Sequence, residues 1–342
     1  IDGMRTLTID LNAMTYTLSR IAIANCMPDD AAAACPSKAF RTKDGGVKIW
    51  MTRNLNWNGG PEIGAMKLGS RLVPAYSGSA TSGGYDPQDP YIERNPAYDE
   101  EESGGSVKGD QAVTDRHGRL YTLDEILLGT PAGGLGRGIT SIEWPSAYNV
   151  GSTFVDAVGT QITARVFKSA EMKAVTDDER FFAENPALSA QIQGICPYGW
   201  HIANFRDWYD LAYAALEASR GDGTYPVREE MLTIAKLVAT NANNVAPWLR
   251  TQEGWNSTPA RAAGADAFDF NLYPTGWRLN KNGYGQYGDT AHSWVPLIGS
   301  SVKKTWRLNN VKATSNYWFN DNLDAGNPAV GIRCVKNYKV KK

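Results

Sequence analysis

Histidine is scarce in this chain, with three residues in 342, and the four cysteines include no CxxC pair. Cys26, Cys35, Cys196 and Cys334 each stand alone, as do His117, His201 and His292, so neighbouring ligands cannot assemble a zinc site of the usual spacing. No metal is expected from them. Net charge is equally thin: a formal value of -1, with Lys and Arg scattered outside the tail from Lys336 to Lys342, provides no field to attract phosphate or an anionic membrane. Nucleic acid is not an expected partner. No apolar run reaches the roughly 18 to 20 residues of a spanning helix, and "IDGMRTLTID" has no cationic stretch followed by an apolar one. The expectation is a chain with no transmembrane segment, a processed or truncated start, and export by a signal outside this sequence.

What is present points to a globular body with elaborate loops. With 42% hydrophobic and 21% charged residues, 342 positions suffice for a sizeable core in one large domain or two ordinary ones. Eleven Trp, 16 Tyr and 34 Gly place rigid aromatic platforms on loop-rich backbone, a composition common in extracellular recognition modules. Disulfides suit the cysteines better than metal. Three pairings are open on paper; the favoured one joins Cys26 to Cys35 in a short local loop and Cys196 to Cys334 across two distant segments.

Apolar and polar residues alternate in "RTLTIDLNAMTYTLSRIAI", at Leu7 and Ile9 and again at Tyr16 and Leu18, which predicts a strand pair. Residues 1–25 are read as that pair, the remnant of a preceding β domain, and 26–342 as the main domain. "VKIWMTRNLNW" (Val47 to Trp57) predicts a third strand after the turn Asp44-Gly45-Gly46. Residues 58–118, rich in Gly, Pro, Ser and Tyr, read as a surface excursion, and 130–195 as a second irregular insertion.

Thr122 with Glu125 predicts a capping box opening "LDEILL", stopped by Gly129, and Thr176 with Glu179 another opening "DDERFFAE". The clearest helix spans 204–220: Asn204 is the candidate N-cap, and Trp208, Leu211, Ala212, Ala215 and Leu216 form one apolar stripe. Pro226 opens a second, at 226–240, with Val227, Met231, Ile234, Ala235 and Val238 as its stripe. Strands return from Phe268, where Phe268, Phe270 and Leu272 alternate with polar neighbours, and at 329–336, where Val330, Ile332 and Cys334 do. The pattern is α+β, two main helices on a curved antiparallel sheet with long loop insertions.

Five pieces of the chain carry a family resemblance: "WMTRNLNW", "GRLYTLDEIL", "CPYGWHIANFRDWYDLA", "FDFNLYPTGWRL" and "VGIRCVKN". In order and wording they resemble the Fibrobacter succinogenes major paralogous domain, whose usual wording is close to WMAENL, GRLYNW, CPTGWHVPTDAEW, FNALPGGYR and SVRCVKD. The resemblance runs from about Asp44 to Asn337. It implies a fold like those of C-type lectins and formylglycine-generating enzymes, and a surface, secreted, lipoprotein or fimbrial protein of Bacteroidetes and related bacteria. Ala203-Asn204-Phe205-Arg206 departs from the family's proline-and-acid start of the helix.

"CPYGWH" (Cys196 to His201) raises the sharpest functional question, because cysteine and histidine five residues apart suit nucleophilic catalysis. The resemblance implies framework instead: Cys196 held near the strand of Cys334, Gly199 permitting a tight turn, Trp200 and Trp208 packed under the helix. No enzyme activity is carried over from formylglycine-generating relatives, since the cysteines look committed to disulfides. "GGLGRG" (Gly133 to Gly138) lacks the Lys-Ser or Lys-Thr of a phosphate loop, and "NDNLDAG" (Asn320 to Gly326) lacks the glycine and glutamate of an EF-hand. "WFND", with Asn320 and Asp321, resembles the Trp-Asn-Asp of calcium-dependent lectins without the Glu-Pro-Asn partner loop; it is kept as the place for calcium, with a solvated turn as the plainer reading.

The remaining candidate is the aromatic and polar segment "NKNGYGQYGDTAHSWV" with "KKTWRLNN", which by the resemblance occupies the ligand loops of lectin-like folds. Tyr284, Tyr287, Trp294 and Trp306 are candidates to stack on a sugar ring, and Asp289, His292, Arg307 and Asn309 to meet its hydroxyls. A self-packed loop explains the same residues as well. The expected function is a non-catalytic extracellular ligand-binding or adhesion module on the cell or outer-membrane surface, meeting a glycan or protein ligand. The alternative is an assembly component that docks a neighbouring subunit.

Overall fold

The structure is a computed structural model that describes residues 5–10, 15–20, 36–42, 44–56, 117–121, 123–126, 151–165, 177–197, 199–220, 245–252, 255, 266, 269–279, 283–285, 290–301, 304–312 and 329–339. Helices and antiparallel strands are mixed in it. β1 (Arg5–Asp10) and β2 (Thr15–Arg20) form the expected pair, in register from Arg5 opposite Arg20 to Asp10 opposite Thr15. The central sheet has four strands, β3 (Ser37–Arg41), β4 (Val47–Met51), β7 (Trp200–Ile202) and β12 (Cys334–Lys336), in the order β3-β4-β12-β7 with every neighbour antiparallel. Thus the last strand among the described residues is an inner one: Val335 lies opposite Trp50 on one side and His201 on the other. At the β3–β4 turn, Gly45 takes φ 77° and donates its N–H to Thr42 O, which closes the hairpin at the predicted glycines.

The predicted helix at 204–220 is α3 (Phe205–Arg220), which lays Trp208, Leu211, Ala212 and Ala215, all buried, against the sheet. Trp208 meets Trp50 edge-on at 4.9 Å between ring centroids, and Phe270 reaches Trp50 at 5.5 Å. Shorter helices flank it: α1 (Leu123–Ile126), α2 (Asp178–Glu184), a 3-10 turn (Pro186–Ser189) and α4 (Ala246–Leu249). The second predicted main helix, 226–240, lies outside the described residues, as does the loop at 133–138. Among the described residues no helix is long and apolar enough to cross a membrane.

Several expectations are corrected. The N-cap of α2 is Asp177, whose side chain accepts from Arg180 N at 3.2 Å, one residue beyond the predicted Thr176. The described residues of the insertion at 130–195 are not all irregular: β5 (Thr153–Val155) and β6 (Gln161–Thr163) form a hairpin, and Phe154, Ile162, Leu188 and Ile195 enter the core. No strand runs through Phe270 and Leu272, because Asp269 and Asn271 take φ 51° and 55°, a left-handed conformation that Asp and Asn tolerate and a strand does not. The strand predicted at 329–336 is broken: Val330 bridges Tyr121, Gly331 bridges Ser293, and the ladder resumes only at Cys334. Lastly, 280–310 is not a free loop. β8 (Trp277–Leu279) pairs with β9 (Gly283–Gly285), and β10 (Thr290–Ser301) with β11 (Lys304–Lys312).

Candidate functional site

The Cys-Pro-Tyr-Gly-Trp-His segment is a turn that feeds β7. Trp200 N donates to Pro197 O at 2.9 Å while Gly199 takes φ 82°, and Asn337 N donates to Gly199 O, which fastens the turn to the chain beyond β12. Cys196 is disulfide-bonded to Cys334 with Cα atoms 5.9 Å apart, both fully buried. Cys26 and Cys35 lie outside the described residues. The His201 ring is enclosed: Nε2 is 2.9 Å from Asp207 Oδ2 and Nδ1 is 3.0 Å from Asn337 Oδ1. Both ring nitrogens are therefore engaged by framework partners, and neither faces a thiol.

Asp207 organises the start of α3. Asn204 Oδ1 accepts from Asp207 N at 2.9 Å and Asp207 Oδ2 accepts from Asn204 N at 2.8 Å, a reciprocal cap in which asparagine and aspartate replace the commoner Ser and Glu. The other oxygen of Asp207 meets Lys48 Nζ at 2.7 Å and accepts from Tyr338 OH at 3.0 Å. Lys48 Nζ also meets Asp210 Oδ2 at 2.9 Å and sits 4.4 Å from the centre of the Tyr338 ring. Burial by itself would lower the Lys48 pKa, but Asp207 and Asp210 outweigh it and raise the value above the usual lysine range. The same pairing works in reverse on Asp207: burial would raise its pKa, and Lys48 and His201 hold it well below the usual carboxylate range.

Arg333 forms a second buried polar centre. Its Nε donates to Asn54 Oδ1 at 2.7 Å, Nη1 to the carbonyls of Met51 and Phe270 at 3.0 and 2.8 Å, and Nη2 to the carbonyl of Asn271. The left-handed residues Asp269 and Asn271 shape the loop that presents those last two carbonyls. Burial pushes the Arg333 pKa down to about 9, with the charge of Asp266 opposing the shift, so the cation persists at neutral pH.

A cleft of about 330 Å³ opens beside the first of these centres, between the β3–β4 turn, α2 and the residues after β12. Its floor includes Lys48, Asp210, Arg206 and Tyr338, and Val47, Phe182 and Ala183 supply apolar surface. Arg206 is held from both sides: Nε donates to Asp210 Oδ2 at 3.2 Å, Nη1 and Nη2 to the two oxygens of Glu179 at 3.2 Å each, and its guanidinium lies 4.4 Å from the Phe182 ring centre. Although burial lowers its pKa, Asp210 and Glu179 raise it by more.

None of the described residues nominated from sequence as a sugar platform lines that cleft. His292 and Trp294 are buried at 4% and 3% exposure, so neither offers a face to a ligand. His292 Nε2 instead lies 2.8 Å from Thr290 Oγ1. Tyr284 lies in β9 opposite Arg278; Trp306, Arg307 and Asn309 lie in β11 opposite Pro296, Val295 and Ser293. Tyr287, Asp289, Asn320 and Asp321 are outside the described residues, and the calcium reading at "WFND" with them. Sequence reasoning missed Lys48, Arg206, Asp210, Tyr338 and Arg333. The spacing of Arg206 and Asp210, four apart at the start of a helix, was the one available signal.

Comparison with known proteins adds one match. The family described as the Fibrobacter succinogenes major domain matches residues 45–336, most of the chain, including Lys48, His201, Asp207, Asp210 and Arg333. No curated protein and no solved structure matches.

Proposed function

The chain belongs to the Fibrobacter succinogenes major domain family, and from that premise we propose that it is a non-catalytic extracellular ligand-binding or adhesion module of a bacterial surface protein, with a C-type-lectin-like arrangement of loops on an α+β frame. The observation that supports this most is the fate of Cys196 and His201. A thiol mechanism would need them as nucleophile and base, but here the sulfur is in a disulfide and both imidazole nitrogens are engaged by Asp207 and Asn337. A buried disulfide also suits an oxidising compartment, hence export to the cell or outer-membrane surface. The remaining chemistry of the described residues is suited to holding a shape: charges paired inside, with a cleft at the surface.

Assembly is the second reading, favoured by one feature. Among the described residues β3 ends the four-stranded order, with Ser37, Ala39 and Arg41 exposed, and its outer edge is where another strand would add. A single experiment separates the two. The purified chain is immobilised and probed with a glycan array and with extracellular matrix proteins, with and without calcium, beside light scattering of the free chain. Saturable binding by a monomer supports the first reading; concentration-dependent self-association without any bound ligand overturns it in favour of the second.

A further inference from the structure

The cleft beside Lys48 has a lining whose charges cancel. Asp44, Glu179 and Asp210 face Lys48, Arg206 and Lys339, three acids against three bases, and the ion pairs Arg206–Glu179, Arg206–Asp210 and Lys48–Asp210 fix several of them in place. A ligand with net charge of either sign gains one set of these groups and is opposed by the other. A neutral ligand that carries hydroxyls is different, because each hydroxyl both donates to a carboxylate and accepts from an ammonium or guanidinium group. The lining also has an apolar side. Val47 is 59% exposed, an uncommon state for a large aliphatic residue among those described, and it lies at this cleft together with Phe182 and Ala183. The volume of about 330 Å³ falls at the small end of the roughly 300 to 1,000 Å³ of ligand sites.

Hydroxyls on one side, an apolar face on the other and no net charge describe a neutral sugar ring. We propose that this cleft, between the β3–β4 turn and α2, is a binding site for one neutral saccharide unit, with the exposed Val47 and Ala183 under its apolar face and Asp44, Glu179, Arg206 and Lys339 meeting its hydroxyls. The inference rests on the binding-module reading and gives it a place, away from the 280–310 segment. The rigid side-chain orientations set by the ion pairs favour such a ligand, since little side-chain freedom is lost when it binds.

The test uses the whole chain and an array of neutral, sialylated, sulfated and amino-sugar oligosaccharides, followed by titration calorimetry with the best-bound neutral member. Three variants are compared with the parent: Val47→Asp and Ala183→Arg at the cleft, both at exposed positions, and Val155→Asp, an exposed valine on β5, as the control. The expected result is a preference for neutral sugars, a loss of affinity of tenfold or more in each cleft variant and no change in the control. A preference for charged glycans overturns the proposal. So does neutral-sugar binding that both cleft variants retain, which would leave the module reading intact with its site elsewhere. An array with no bound sugar overturns it too, and matrix-protein binding by the same preparation then decides whether the module reading survives.

Discussion

Arg333 and Phe270 stand 63 positions apart, yet Nη1 of the arginine donates to the phenylalanine carbonyl at 2.8 Å while its guanidinium lies 4.5 Å from the centre of that residue's ring. One side chain thereby ties the loop before β8 to the segment that leads into β12. With the bonds to Asn54 and to the carbonyls of Met51 and Asn271, the guanidinium occupies the place that a strand ladder would otherwise fill.

Replacing it tests that role. Lysine keeps the charge but is a point donor that cannot reach acceptors spread around a planar fork, so Arg333→Lys leaves buried carbonyls unpaired. The expected loss is about 2 to 4 kcal/mol in urea unfolding, given that hydrogen bonds to charged groups contribute about 1.5 to 3 kcal/mol each. A loss below about 1 kcal/mol, within the range of ordinary surface substitutions, would show that the fork is dispensable.

Asp207 predicts an acid limb. Its folded pKa is held below the unfolded value of 3.8, so the stability it contributes is present above that value and is lost as pH falls toward the lowered one. Wild-type protein should therefore lose unfolding free energy steeply below about pH 4. Asp207→Asn should be less stable at pH 7, because Lys48 and His201 lose a charged partner, but should show a shallower slope below pH 4. Equal slopes in the two proteins would contradict the assignment. Lys48, with a raised pKa, contributes stability that is complete below its unfolded value of 10.5, so mild alkali should leave this centre intact.

Gly331 sets how closely the chain passes Asn54. A Cβ at 331 would lie 2.6 Å from Asn54 Nδ2, and Asn54 is the side chain that accepts from Arg333 Nε. Gly331→Ala should cost about 1 to 3 kcal/mol, as overpacking of a dense interior does. Combined with Asn54→Ala it should cost less than the sum of the two single changes, since the clashing Nδ2 and the acceptor Oδ1 belong to the same side chain. Strict additivity in the double-mutant cycle would place the strain elsewhere.

How much of this was legible in the sequence depends on where local pattern and tertiary demand agree. At α3 they agree: Asn204 caps the helix, and its apolar stripe is the buried one. At β4 the strand was legible but its facing was not: Lys48 is buried at 4% exposure and Val47 is exposed. Buried carboxylates from α3 draw the lysine in, and nothing within five residues of it announces them. Arg333 is hidden for a similar reason. Between Ile332 and Cys334 it occupies the outward slot of a regular strand, but the strand is interrupted there, and the acceptors that hold it come from residues 51–54 and 270–271. The alternation at Phe268 to Leu272 failed because its polar members, Asp269 and Asn271, are residue types that tolerate the left-handed region. Of the residues nominated for a sugar platform, His292 and Trp294 are buried, their aromatic character serving the interior.

The central claim, that the Cys-Pro-Tyr-Gly-Trp-His segment is framework, is tested most directly by thiol labelling of the native protein followed by non-reducing peptide mapping. The loop closed by Cys196 and Cys334 spans a sequence separation of 138, and closing it in the unfolded chain is worth roughly 4 to 5 kcal/mol on the chain-entropy model. The account predicts one linked peptide pair containing both residues, no labelling of Cys196 without reductant, and a fall in stability of that order on reduction. A Cys196 that reacts readily with a thiol reagent in the folded, unreduced protein would contradict it, and would return the cysteine and His201 to the list of catalytic candidates.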